Sequence, residues 1–232
     1  MERKALNVVI VGGSIAGLMH GIMIKRLGHN VRILEKNVSS TRQSYAAGIA
    51  VGPQVQELLH KIDVLLETIA FHSPGLQILD KNLRVKRFIE QSVHLTSWEV
   101  LHSSLRARFD QYGMCESPHC IPEKDQEDGE VVYDLGKQVT NLVLNQGSIR
   151  LTSKDLINGG TEEIDADLTI AADGARSTIR DLLLPGLPDH YAGYVVWRGV
   201  IAEKDVSAET KNTFGTNTNI FALSKSRSYV VE

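Results

Sequence analysis

A chain of 232 residues is long enough for one large domain or two small ones, each with a substantial core. With 42% hydrophobic and 23% charged residues and a formal net charge of −3, the composition is that of a soluble globular protein. It gives no electrostatic reason to expect nucleic acid or an anionic membrane as partner. Every apolar run is broken by charged or polar residues before it reaches the length of a membrane span, and residues 1–11 read as a core strand rather than a secretion signal. The two cysteines, Cys115 and Cys120, read as reduced thiols, so the expected location is the cytoplasm. Together with His119 they fall short of the four ligands of a structural zinc site, and no metal is expected.

In chain order, Leu6 to Val11 reads as a strand that runs directly into the turn Gly12-Gly13-Ser14-Ile15-Ala16-Gly17 and a helix. Such a turn binds a dinucleotide pyrophosphate with backbone alone. Gly12 allows the tight bend, a small residue at position 14 lets the phosphates approach, and Gly17 lets the helix pack on the strand. The usual pattern has a glycine where Ser14 stands; a serine is still small, and its hydroxyl can face a phosphate. The helix carries Ile15, Leu18, Met19, Ile22, Met23 and Leu27 on one face and ends at Gly28-His29. A second strand, Val31 to Leu34, ends at Glu35. An acidic residue about 20 positions after the glycines is the expected acceptor for ribose hydroxyls, which favours FAD or NAD over NADP at this site.

A polar loop and an Ala-Gly-rich stretch follow, and then Gly52-Pro53 opens a helix with Val55, Leu58, Leu59, Ile62, Leu65 and Leu66 at helical spacing. Gly75 to Glu90 reads as a hairpin around Asp80-Lys81-Asn82. Thr96-Ser97-Trp98-Glu99 has the form of a capping box with Thr96 as N-cap, opening a helix that aligns Trp98, Leu101, Leu105, Phe109 and Tyr112. Residues 115–130 read as a solvated acidic loop. Three strands are expected at Val131–Leu135, Gln138–Leu144 and Ser148–Thr152, with a turn at Asn158-Gly159-Gly160. Residues 166–172 then read as a buried strand, Asp173-Gly174 as a sharp turn, and the following residues as a helix stopped by Pro185-Gly186. A turn at the carboxyl end of a strand is where open α/β sheets place their ligands.

These residues resemble the FAD-dependent aromatic hydroxylases of the para-hydroxybenzoate hydroxylase type. Gly12 to Gly17 with Glu35 is similar to their ADP-binding unit. Asp173-Gly174 with Ser177 and Arg180 is similar to the Asp-Gly motif that serves FAD and the transient NAD(P)H. The resemblance implies flavin-side roles for Gly48 and Arg42. The stretch Leu187 to Gly199 is similar to the branch containing 2,6-dihydroxypyridine hydroxylase, and His190, Tyr191, Tyr194, Trp197 and Arg198 become substrate-side candidates, with sheet packing the plainer alternative for each. The implied fold is α/β: a Rossmann-like FAD/NAD(P)-binding domain from residues 1–70 and 97–185, and a partial β-sheet substrate domain from 71–96 and 186–232. The implied cofactor-binding residues are Gly12, Gly13, Ser14, Ala16, Gly17, Glu35, Arg42, Gly48, Asp173 and Gly174.

The implied activity is hydroxylation of an aromatic or heteroaromatic small molecule with NAD(P)H and O₂, FAD carrying the chemistry. The implied partners are that substrate and O₂, with a homodimer left open. Two departures stand out. Trp98 occupies the slot in which many relatives carry an arginine at the start of the middle helix, and Arg106 is out of register with it. The Gly-Asp-Ala-x-H segment that holds the flavin side in relatives does not occur in the 232 residues, which makes a shortened product or fragment the expectation. The competing readings are a non-catalytic nucleotide-binding remnant or partner-dependent half, and a nicotinamide-only reductase, which would call for a Tyr-x-x-x-Lys pair that the sequence lacks.

Overall fold

The structure is a computed structural model of the chain and describes residues 4–39, 48–62, 64, 66–80, 84–111, 127–191, 193, 201–214, 219–224 and 227–231. The chain forms two compact units, 1–42 with 102–190 and 43–101 with 191–232.

The first unit is built on β1 (Asn7–Val11), α1 (Ile15–Lys25) and β2 (Asn30–Glu35), the strand–turn–helix–strand unit expected from the glycine turn. The second unit takes up β3 (Gly48–Val51), α2 (Pro53–Lys61), α3 (Leu66–Ile69), β4 (Phe71–Leu79) and β5 (Val85–Ser97). After α4 (Trp98–Asp110), the first unit continues with β6 (Val131–Leu135), β7 (Lys137–Asn145), β8 (Ser148–Asp155), β9 (Thr161–Ala166), β10 (Leu168–Ala171) and α5 (Thr178–Leu183). The second unit ends with α6 (Ala208–Phe214), β11 (Asn219–Ser224) and β12 (Arg227–Val231).

In the first unit a four-stranded parallel sheet has the order β10-β1-β2-β6, beside a three-stranded antiparallel sheet, β7-β8-β9. Alternate residues of β1 supply both faces of the parallel sheet. Val9 and Val11 join Leu34, Val139, Leu151, Ile164, Ala166 and Ile179 in one buried cluster, which fastens the antiparallel sheet to the parallel one. Val8 and Ile10 are equally buried, as are Leu18, Ile22, Ile33, Leu105 and Phe109. Each fully buried Leu, Ile or Phe contributes roughly 1.5–3 kcal/mol. The buried stripe of α1 is narrower than its hydrophobic pattern suggested: Gly17, Leu18, Gly21 and Ile22 are buried, whereas Met23 and Leu27 are 48% and 69% exposed. Two glycines on the contact face bring the helix close, so fewer large side chains are covered. A Cβ on Gly21 would lie 2.8 Å from the Phe109 ring.

Other expectations change as well. The N-cap of α4 is Ser97, whose Oγ accepts from Val100 N–H at 3.2 Å; Thr96 lies inside β5 and donates to the Ile69 carbonyl. The apolar run after Pro53 gives two helices, α2 and α3, rather than one. β10 is an edge strand with Leu168 42% exposed, not a buried one, because among the described residues only β1 pairs with it. The hairpin of β4 and β5 is closed by Asp80 and Arg84 and is longer than expected. In the second unit it lies in a five-stranded mixed sheet of order β12-β11-β4-β5-β3. Because β3 pairs antiparallel with β5, residues 48–51 group with that sheet in the compact unit 43–101 with 191–232.

A charge cluster bridges the two sheets of the first unit. Arg32 on β2 donates to Asp134 on β6 at 2.6 Å and to both oxygens of Glu162 on β9 at 2.8 and 3.1 Å. Lys137 on β7 reaches Glu162 and Asp155. The Arg32 hydrogen bond holds the Glu162 carboxyl below its ordinary value of 4.5. The backbone amides of Asn158 and Ile157, then Lys137, hold Asp155 far below 3.8. Carboxyls lowered in this way add stability above their unfolded values and lose it as the pH falls toward the folded ones. The melting temperature should therefore hold from pH 7 to about 5 and fall below about pH 4. A Glu162→Gln variant should melt lower at pH 7 and show a shallower acid decline; an unchanged acid limb would remove Glu162 from the account.

Candidate functional site

The site is assembled where β1, β2 and β10 end side by side. Gly12 leaves β1 at φ +103°, and its N–H donates to the Leu34 carbonyl at 2.9 Å, while Ala172 N–H donates to Val11 O at 2.8 Å. The glycine turn is thus tied to β2 on one side and to the residue after β10 on the other. A Cβ on Gly17 would sit 2.0 Å from the Gly12 carbonyl oxygen, with Ile10 next at 3.4 Å, so this glycine seats the helix on the turn more than on the strand. Ser14 is the N-cap of α1, extended at φ −83° and ψ −170°, and its side chain makes no capping hydrogen bond. The first-turn amides of α1 therefore present donors and partial positive charge that the serine hydroxyl does not cover.

Glu35 is only 5% exposed. Its Oε2 accepts from Gly13 N–H at 2.8 Å, and its Oε1 accepts from Asn37 N–H at 2.9 Å and from the Asn37 side-chain amide. A carboxylate only accepts hydrogen bonds, the role that a ribose hydroxyl calls for. The same side chain braces the glycine turn and faces the cleft.

Asp173 turns its carboxylate back onto α5. Ser177 Oγ donates to Oδ1 at 2.6 Å, Ile179 N–H donates to Oδ2 at 3.2 Å, and Ser177 Oγ caps α5 by accepting from Arg180 N–H at 2.9 Å. The carboxylate fixes the shape of the turn, and Asp173, Gly174, Ala175 and Arg176 all line the cleft. Gly174 takes φ +81° in open space, so it is glycine for conformation rather than for room.

These parts enclose a cleft of about 450 Å³, within the usual range for cofactor sites. It is lined by Gly12 and Ser14 from the turn, Glu35 and Lys36 from the end of β2, Lys137, Gln138 and Val139 from β7, and Ala172 to Arg176 with Thr178. Three cations face two carboxylates that are already engaged in the surrounding turns. Among the described residues no ion pair to Lys36 or Arg176 is present. A site with uncovered amides, two such cations and an acidic hydrogen-bond acceptor at its edge suits a nucleoside diphosphate.

A family model described as FAD binding domain matches residues 5–220. The chain belongs to that family. The FAD-binding domain of this chain is 27% identical over 210 residues to 2,6-dihydroxypyridine 3-monooxygenase of Paenarthrobacter nicotinovorans, covering 90% of this chain and 46% of that protein. It is 28% identical over 219 residues to 6-hydroxynicotinate 3-monooxygenase of Pseudomonas fluorescens, covering 87% and 49%. The structure of 2,6-dihydroxypyridine-3-hydroxylase from Arthrobacter nicotinovorans superposes with a TM-score of 0.74 at 25% identity, over 95% of this chain and 49% of that one. CtdE in complex with FAD shares the fold, with a TM-score of 0.57 at 19% identity over 77% of this chain and 40% of that one. The chain spans about half the length of the relatives it matches.

Within this FAD-binding domain, five of the ten expected cofactor residues line the cleft: Gly12, Ser14, Glu35, Asp173 and Gly174. Gly13 and Gly17 frame it from behind. Ala16 is exposed on the first turn of α1, and its carbonyl meets His20 Nδ1 at 2.7 Å. Gly48 lies in the second unit at the start of β3, opposite Ser97. Arg42 lies outside the described residues, as do Cys115, His119, Cys120, Tyr194, Trp197 and Arg198. His190 is exposed and Tyr191 is 76% exposed. Lys36, Lys137, Gln138 and Arg176 were not foreseen as cleft residues. Lys36 follows Glu35 and Arg176 lies two residues past Gly174, so proximity was the available signal; Lys137 and Gln138 open β7, a strand the sequence marks without showing that its start reaches the cleft.

Proposed function

We propose that this chain binds FAD through its ADP half in the cleft of the first unit, and serves a monooxygenase that hydroxylates an aromatic or heteroaromatic small molecule. The observation that carries the reading is the convergence of the glycine turn, Glu35 and the Asp173-Gly174 turn on one cleft at the carboxyl ends of parallel strands. When bound, FAD would supply the redox chemistry, with NAD(P)H as reductant and O₂ as oxygen donor. The residues of the chain would bind and orient. The amides after Gly12 take the pyrophosphate, Glu35 takes the ribose hydroxyls, and Lys36 and Arg176 balance phosphate charge. Arg42 and Gly48 are proposed for the flavin side, with Gly13, Ala16 and Gly17 as parts of the turn. We also propose a cytoplasmic location; no helix among the described residues is long and apolar enough to cross a membrane. A homodimer remains part of the proposal.

Quenching of flavin fluorescence on titration with FAD, with ADP as competitor, tests the reading. Ser14→Gly should bind as well as the native chain or better, and Ser14→Leu should bind at least about tenfold more weakly, because a large side chain blocks the close approach. Equal affinity in all three would mean that the turn does not hold pyrophosphate. Loaded protein that consumes NAD(P)H in step with hydroxylated product supports the monooxygenase; FAD binding without turnover supports the nucleotide-binding module instead.

A further inference from the structure

Gly13 is gripped on both sides, through its N–H and through its carbonyl. Its N–H donates to Glu35. Its carbonyl oxygen accepts from Tyr133 Oη at 2.7 Å and lies 3.0 Å from His102 Nε2. A carbonyl can only accept, so His102 bonds it with its proton on Nε2. Both side chains belong to the first unit, Tyr133 from β6 and His102 from α4. Neither lines the cleft.

Tyr133 is itself held in place. The Arg106 guanidinium lies 3.5 Å from the centre of its ring, and Arg106 is fixed by two hydrogen bonds to Asp110, at 3.1 and 2.6 Å. Arg106 is 6% exposed, and the Phe109 ring meets Tyr133 edge-on. A Cβ on Gly13 would stand 2.1 Å from the Tyr133 hydroxyl oxygen. This gives Gly13 a reason to be glycine that phosphate binding does not supply: the hydroxyl occupies the space.

No peptide bond among the described residues is cis. In a trans peptide the N–H of the next residue points opposite to the carbonyl. Holding Gly13 C=O toward Tyr133 and His102 therefore turns Ser14 N–H away from them, and Ser14 is a cleft residue. We infer that Tyr133 and His102 are positioning residues that set the Ser14 amide toward a bound pyrophosphate. The inference rests on the proposed nucleotide site and adds to it the device that orients the site before ligand arrives.

The test compares ADP with adenosine, which keeps the ribose and base but has no phosphate, on the full chain, using calorimetry for ADP and ligand-observed NMR for adenosine. Tyr133→Phe removes the hydroxyl and keeps the ring under Arg106. His102→Leu removes the donor, and His102→Gln restores one. Tyr133→Phe and His102→Leu should each weaken ADP about three- to tenfold, the scale of one hydrogen bond. Adenosine affinity should stay constant, and His102→Gln should recover most of the ADP loss. Unchanged ADP affinity in both variants overturns the inference, and so does an equal fall for ADP and adenosine, which would mark general loosening. A native chain that binds neither ADP nor FAD overturns the nucleotide reading itself; native ADP binding with indifferent variants leaves that reading standing and removes only the positioning role.

Discussion

Glu35→Ala should cost both stability and nucleotide affinity, and the two losses should be separable. In the free protein the change leaves the buried Gly13 N–H without its acceptor and frees Asn37. An unsatisfied buried donor costs about 1–3 kcal/mol, which should appear as a lower denaturation midpoint without ligand. On binding, loss of charge-assisted hydrogen bonds to the ribose adds about 1.5–3 kcal/mol, or roughly 10- to 150-fold in affinity. Glu35→Gln is the sharper probe. Both carboxylate oxygens accept from N–H groups, so an amide of the same shape must set its NH₂ against a donor whichever way it turns. Gln should therefore fall close to Ala rather than close to Glu. Native-like ADP affinity and unfolding midpoint in the Gln variant would show that the charge at position 35 is unimportant.

The double use of Glu35 shows what was legible in the sequence. Its place about 20 residues after the glycines marked it as a ligand residue. Nothing in that spacing showed that it braces the turn, because the bond to Gly13 depends on how far the turn folds back over the end of β2. The parallel unit β1–α1–β2 was readable because its periodicity and glycines are local. β9 was not, since Thr161 to Ala166 offers few apolar positions after the Asn158-Gly159-Gly160 turn. The cap of α4 slipped by one residue because Thr96 and Ser97 can both cap, and the Thr96 hydroxyl is engaged with the Ile69 carbonyl instead. Tyr133 and His102 carried no signal. They come from distant segments, and only the three-dimensional fold brings them to the same carbonyl. Arg106 is out of register with the family arginine, and in the structure it lies over the Tyr133 ring instead.

Gly12→Ala should be the most damaging single change in the site, and Gly174→Ala is its control. Both glycines have positive φ, +103° and +81°, so alanine at either carries a backbone strain of about 1–3 kcal/mol. They differ in surroundings. A Cβ at Gly174 meets nothing within 4 Å, whereas at Gly12 it would lie 2.3 Å from the Ala172 carbonyl oxygen and 2.7 Å from its carbon. That obstacle is backbone and cannot swing aside. Ala172 N–H is bonded to Val11 O, and β10 is paired in register with β1 through Val11 and Ala171. Relief requires the carboxyl ends of β1 and β10 to separate, and these are two walls of the cleft. Gly12→Ala should thus lose about 3 kcal/mol or more in chemical denaturation and bind ADP too weakly to measure, combining strain with overpacking of roughly 1–3 kcal/mol. Gly174→Ala should lose only the backbone part and retain binding within about tenfold. Equal losses of stability in the two variants would mean that β1 and β10 move apart easily, and the cleft would then not be the preformed site that its hydrogen bonds describe.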